Sequence, residues 1–237
     1  MSKQDVTKCW NLFSAVSDRG EITRILLHGV PGTGKTTTAC KIGDRFSGGH
    51  YSITLHEDSS VAELIGHWVP KPDGSFQWLD GIAVRAWVEG KMLVLNEVNL
   101  ASGPVLTQLH NILDDPNIAQ MDLPDGRHVT PKSGFRCVCT MNGSIEDLPA
   151  PVIDRFDLDI PISSPHPDAL KMLPERLRLL VENSYSQPDP SVTFRQALAY
   201  QKLSKVIGEA AAADAIFGEE RATDIRATLC LGEREGK

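Results

Sequence analysis

At 237 residues and 41% hydrophobic content, the chain can bury a sizeable core, as one large domain or a large one with a small one, which excludes wholesale disorder. Its 31 acidic residues against 24 basic ones leave a net charge of −7, so there is no global electrostatic footprint for nucleic acid, although local basic loops stay open. Five cysteines without paired spacing, seven scattered histidines, a start at Met1-Ser2-Lys3-Gln4-Asp5 without an apolar leader and no run of roughly 18 apolar residues point to a cytoplasmic protein, with no membrane insertion and no metal-thiolate site.

In chain order, the first apolar run, residues 22–28, predicts a strand that leads into Gly29-Val30-Pro31-Gly32-Thr33-Gly34-Lys35-Thr36. This is the G-x-x-x-x-G-K-[ST] phosphate loop in its proper setting, with a helix predicted over 35–46 behind it. Glycines permit a tight loop whose backbone N–H groups point inward, and the helix adds the positive end of its dipole. The expected nucleotide-binding set is therefore Gly29, Val30, Pro31, Gly32, Thr33, Gly34, Lys35, Thr36 and the adjoining Thr37. Lys35 is expected on the β- and γ-phosphates and Thr36 on Mg²⁺. Strands are predicted at 51–55 and 91–95, the second running into Asn96-Glu97. Such a run should end in acidic groups that hold the Mg²⁺ shell and polarise the attacking water. Asn96 stands where a metal-organising Asp is expected. Its carbonyl can still hold a metal-bound water, but it lacks the charge that favours a divalent cation. Nucleotide binding is expected to survive this exchange, and hydrolysis to be slow or absent. Glu97 is read as orienting the attacking water, the other reading being a cap on the helical segment that follows.

Farther on, Val105, Leu106, Leu109, Ile112 and Leu113 give residues 102–115 one apolar helical stripe. Asp125-Gly126 between two short extended runs signals a hairpin. Strands follow at 135–141, where Cys137 and Cys139 share a face as small buried residues, and at 157–160. Strands dense in Ile, Leu and Val and alternating with helices imply a parallel sheet covered on both faces, an α/β fold. Residues 161–167 break the pattern. Everything after them is predicted helical, near 174–183, 194–207, 209–217 and 220–231, with 187–190 as a linker. The expected organisation is an α/β nucleotide-binding core over 1–163, with a five-stranded parallel sheet and hairpin insertions near 67–78 and 117–131, and a small helical lid over 164–237.

The stretch from Leu95-Asn96-Glu97-Val98-Asn99-Leu100-Ala101 to Leu113-Asp114-Asp115 resembles the second acidic motif of the dynein-related and MoxR-like branch of AAA+ ATPases, which includes the midasin modules. Asn96 is the departure from it. Leu64-Ile65-Gly66-His67 with Gly74-Ser75-Phe76-Gln77-Trp78-Leu79-Asp80-Gly81 is similar to that branch's insertion after its second strand, and residues 119–131 to its hairpin before the sensor strand. The resemblance implies ATP and Mg²⁺ as cofactors. It also implies Asn142 as the sensor that positions water near the γ-phosphate, Arg155 of Asp154-Arg155-Phe156 as a finger acting in trans on a neighbour's nucleotide, and Arg195 of the lid as a second sensor. From local chemistry alone, Asn142 before Gly143 is equally a turn former. Arg155 is equally an ion-pair partner of Asp154 or Asp157. Arg195 is equally a solvated side chain in the first turn of a helix capped by Thr193 and Gln196, and Arg136 resembles an extra interface arginine only weakly.

As a member of that branch, the chain is expected to be an ATP hydrolase and to work as a homo-oligomeric, hexameric ring that remodels a protein partner, often one with a von Willebrand A-type domain. Two other readings stay open: an assembly scaffold gated by nucleotide with little hydrolysis, motivated by Asn96, and a nucleic-acid-linked motor, disfavoured by the acidic balance.

Overall fold

The computed structural model describes residues 3–187 and 190–231; Pro188 and Asp189 of the expected linker, and 232–237 of the expected lid, lie outside the described residues. The described residues of the chain divide into two compact units, one drawn from Cys9–Gly29 and Lys35–Pro161 and the other from residues 3–8, Val30–Gly34, 162–187 and 190–231.

The larger unit is built on a parallel five-stranded sheet. In chain order it contains most of helix α1 (Lys3–Arg19), strand β1 (Arg24–Gly29), α2 (Lys35–Phe46), β2 (His50–Thr54), α3 (Val61–Leu64), β3 (Gly66–Pro70), β4 (Phe76–Asp80), α4 (Ile82–Glu89) and β5 (Met92–Asn96). There follow α5 (Gly103–Ile112), β6 (Met121–Asp122), β7 (His128–Val129), β8 (Arg136–Thr140), α6 (Ala150–Ile153) and β9 (Leu158–Ile162), whose last residue belongs to the smaller unit. The strand order is β2-β5-β8-β1-β9, with β3-β4 and β6-β7 as separate antiparallel hairpins. Every residue of the interior strand β5 is buried, which is why its sequence carries no polar alternation. The core gathers Leu26, Leu93, Leu95, Cys137 and Cys139 from the strands, Met141 just after β8, and Trp87, Val105 and Leu109 from the helices.

Two expectations need correction at the end of this sheet. The last strand does not stop at residue 160 but runs through Pro161 to Ile162. It lies at the sheet edge, where a proline's missing N–H breaks no ladder. It also begins later than expected, because the Asp157 carboxylate accepts hydrogen bonds from the Thr23 and Arg24 amides, both at 3.0 Å, and pairs with the Arg24 guanidinium. Helix α1 was not anticipated, although Trp10, Phe13 and Ser17, all buried, recur at helical spacing.

The smaller unit is helical: α7 (Pro167–Leu170), α8 (Glu175–Ser184), α9 (Phe194–Ile207), α10 (Glu209–Phe217) and α11 (Glu219–Leu231). Pro167 starts α7 instead of breaking the chain, since proline at the first helical position loses no hydrogen bond and the His166 ring accepts from the Asp168 amide. Leu177, Val181, Val192, Tyr200 and Phe217 form the core of this unit.

Candidate nucleotide site

Strand β1 ends at Gly29 and α2 begins at Lys35, so the phosphate loop is the whole of the connection. Gly32 and Gly34 have φ of 73° and 96°, left-handed values that favour glycine. At Gly32 a Cβ would also come within 3.2 Å of the Tyr185 hydroxyl. Residues Val30–Gly34 are tied into the helical unit: the Val30 amide donates to the Ile162 carbonyl at 3.1 Å, the His166 amide to the Thr33 carbonyl at 3.1 Å, and the Tyr185 hydroxyl to the Pro31 carbonyl at 3.0 Å. Helix α2 has no acidic residue in its first turn, so no side chain of its own offsets the positive end of its dipole.

Lys35 is buried, and its Nζ donates to the Gly29 carbonyl and to Asn142 Oδ1, each at 3.1 Å. Burial pulls this ammonium down from the ordinary lysine value to about 8, and the nearby Glu97 carboxylate only partly opposes the shift. The same Asn142 donates through Nδ2 to Glu97 Oε1 at 2.8 Å. One amide therefore bridges the two charged groups. The turn reading of Asn142 is incomplete, because its side chain is spent on Lys35 and Glu97. Glu97 does occupy the cap position of the short 3-10 turn Val98–Leu100, but its side chain makes no capping bond. Its backbone is left-handed, with φ 53° and ψ 46°, an unfavourable state for a non-glycine residue of the kind that gathers at functional sites.

Beside Thr36 lies a neutral network. Asn96 is buried; its Nδ2 donates to Ser52 Oγ at 3.1 Å and to the Ile53 carbonyl at 3.3 Å, and its Oδ1 accepts from Thr140 Oγ1 at 3.1 Å. Thr140 Oγ1 lies 3.4 Å from Thr36 Oγ1. Among the described residues no three His, Cys, Asp or Glu side chains converge as a metal site. A single hydroxyl backed by amides is nonetheless a fitting donor set for Mg²⁺, which keeps most of its water and takes its charged ligands from substrate phosphates.

Thr37 lies in the first turn of α2. Arg155 pairs with neither Asp154 nor Asp157, as its local alternative had it. Its Nη1 binds Asp114 Oδ1 at 3.0 Å and its Nε donates to His110 Nδ1 at 2.9 Å. Arg195 sits in the first turn of α9, behind the Thr193–Gln196 capping box. It is near enough to Tyr185 to oppose the upward pull of burial on that phenol, which ties it electrostatically to the side chain holding Pro31. Arg136 donates to the Ser17 carbonyl, and burial lowers its pKa. Sequence reasoning missed Thr140, Tyr185, His110 and Asp114. Thr140 adjoins the expected sensor stretch and Asp114 stands in the Leu113-Asp114-Asp115 stretch that carries the resemblance, so both were within reach; Tyr185 and His110 carry no motif.

The family model for the AAA domain (dynein-related subfamily) matches residues 24–156, from the start of β1 to the residue after Arg155. The chain belongs to the dynein-related AAA subfamily. Known relatives agree with this membership. Protein NorQ of Paracoccus denitrificans is 33% identical over 124 residues, 52% of this chain and 45% of NorQ. The denitrification regulatory protein NirQ of Pseudomonas aeruginosa is 34% identical over 124 residues, 52% of this chain and 47% of NirQ. Midasin of Giardia intestinalis is 37% identical over 90 residues, 38% of this chain and 2% of that protein. This AAA domain thus spans somewhat under half the length of its NorQ and NirQ relatives, and the resemblance to the MoxR-like and dynein-related branch holds. A putative ATPase from Cytophaga hutchinsonii shares the fold with a TM-score of 0.53 at 19% identity, covering 92% of this chain and 68% of that one. NtrX of Brucella abortus does so with a TM-score of 0.57 at 14% identity, covering 87% and 52%. Among the described residues no helix is long and apolar enough to cross a membrane.

Proposed function

We propose that this AAA domain binds ATP with Mg²⁺ and hydrolyses it slowly, as one subunit of a cytoplasmic hexameric ring that remodels a protein partner, of which a von Willebrand A-type domain is one candidate. The observation that carries the reading is the hydrogen-bonded bridge Lys35–Asn142–Glu97 directly behind the glycine loop. It holds a buried cation and a carboxylate apart and oriented by one neutral amide. Lys35 and the loop amides bind phosphate oxygens. Glu97 orients the attacking water and takes up its proton, with Asn142 fixing the carboxylate. Arg155 acts on a neighbouring subunit's nucleotide and Arg195 on its own, and both spread positive charge over the transferring phosphoryl group. Mg²⁺, when bound through Thr36, supplies further charge neutralisation. The proposed division places the nucleotide core in 1–163 and a lid in 164–237.

Asn96 favours a second reading, in which nucleotide gates assembly and turnover is negligible, because the group that would organise the ion carries no charge. The two separate on one comparison. Purified wild-type protein should show Mg²⁺-dependent ATP turnover that Glu97→Gln reduces by at least about a hundredfold. Nucleotide binding with turnover no greater in the wild type than in Glu97→Gln would leave the gated scaffold instead.

A further inference from the structure

We infer that Thr140 is a positioning residue whose hydroxyl, oriented by a neutral Asn96, accepts a hydrogen bond from the Thr36 hydroxyl and so turns the Thr36 lone pairs toward the ion site. This rests on the proposed nucleotide site and concerns how the chain works without the usual acidic group there.

The direction of every hydrogen bond in the network follows from its fixed end. The Ile53 carbonyl can only accept, and it lies 3.3 Å from one terminal atom of the Asn96 amide. That atom must be the NH₂ nitrogen, since the reverse orientation would set two carbonyl oxygens against each other. The opposite terminal atom is therefore Oδ1, and the Thr140 hydroxyl 3.1 Å away must donate to it. Thr140 has a single proton, now committed. Its 3.4 Å contact with Thr36 Oγ1 can be a hydrogen bond only if Thr36 donates. The second Asn96 proton goes to Ser52 Oγ at 3.1 Å. The donors thus run one way, from Thr36 of the phosphate loop through Thr140 and Asn96 to Ser52 on the edge strand β2. The register that makes it work is the pairing of Asn96 with Thr140 across β5 and β8 and with Thr54 across β5 and β2.

An aspartate at position 96 cannot reproduce this pattern. Ionised, it has no proton for the Ile53 carbonyl and places a carboxylate against it in a buried site. Supplying the charge at position 96 is therefore not a repair for this chain.

The test has two arms. In the first, binding of a non-hydrolysable ATP analogue is measured in Mg²⁺ and in EDTA for wild type, Thr140→Val and Thr140→Ser. Thr140→Val should bind as wild type does in EDTA but lose about threefold to tenfold of the gain that Mg²⁺ brings, the scale of one net hydrogen bond, while Thr140→Ser keeps that gain. A Thr140→Val protein with the full Mg²⁺ gain overturns the inference. In the second arm, wild type and Asn96→Asp are melted without nucleotide or metal from pH 7 to 5. Burial raises the folded-state pKa of the new carboxyl, so its destabilisation is full at neutral pH and fades as pH falls through that value. The gap in Tm should narrow toward acid, and a flat or widening gap overturns the inference. If wild type binds no analogue in either buffer, the proposed nucleotide site falls, and the melting series alone decides the polarity of Asn96.

Discussion

Glu97 is the one non-glycine residue among those described with a positive φ, and it carries the carboxylate that Asn142 holds. A left-handed backbone at such a residue is unfavourable by about 1–2 kcal/mol, so Glu97→Gly should melt higher than wild type, by about 0.5–1 kcal/mol of added stability, while losing turnover. A variant that loses both stability and turnover would show that the conformation carries no strain. Lys35 gives a pH prediction. Burial depresses its folded-state pKa to about 8, and phosphate binds the protonated form. Nucleotide affinity should therefore be level below about pH 8 and decline above it, by at most about tenfold per pH unit; titration calorimetry in buffers of differing ionisation heat would register the matching proton uptake. Affinity level through pH 9.5 would contradict the buried-lysine assignment. At this scale the loop Gly29–Thr36 was legible because its cradle is contiguous in sequence. The bridge made by Asn142 was not, since it joins residues 107 and 45 positions apart in the chain, and only the sheet brings them together.

Among the elements, strands and long helices were predictable from apolar density and period, with the helix of the phosphate loop and two helices of the C-terminal unit falling on their expected spans. The boundaries that failed did so for tertiary reasons: Asp157 fastening the start of β9, and an edge position that tolerates Pro161. The β3–β4 hairpin also depends on backbone approach. Gly66 has φ of 137°, and a Cβ there would meet the Leu79 carbonyl at 2.4 Å and the Trp78 ring at 2.6 Å. Trp68 and Trp78 stand opposite each other in this hairpin with ring centroids 5.6 Å apart, edge to face. Gly66→Ala should therefore disrupt the hairpin locally, at about 1–3 kcal/mol, and diminish the near-ultraviolet circular dichroism of the tryptophan pair while leaving nucleotide binding intact. An unchanged tryptophan signal would mean that the hairpin tolerates the intrusion.

For the whole molecule, the proposed ring turns on Arg155. Within its own unit this side chain is engaged by Asp114 and His110, a half-exposed arrangement that a neighbour's phosphate could displace, because an ion pair at such a site contributes at most about 1 kcal/mol. If Arg155 serves a neighbour and Glu97 serves its own site, the two losses are complementary. The most direct measurement mixes Glu97→Gln and Arg155→Ala subunits and follows ATP turnover, with the particle mass read by light scattering. Each variant alone should be nearly silent, and the mixture should regain turnover in a particle larger than one subunit, where an intact Glu97 meets an intact Arg155 from next door. A mixture no more active than its parts, or an Arg155→Ala protein as active as wild type, would contradict a ring with shared sites.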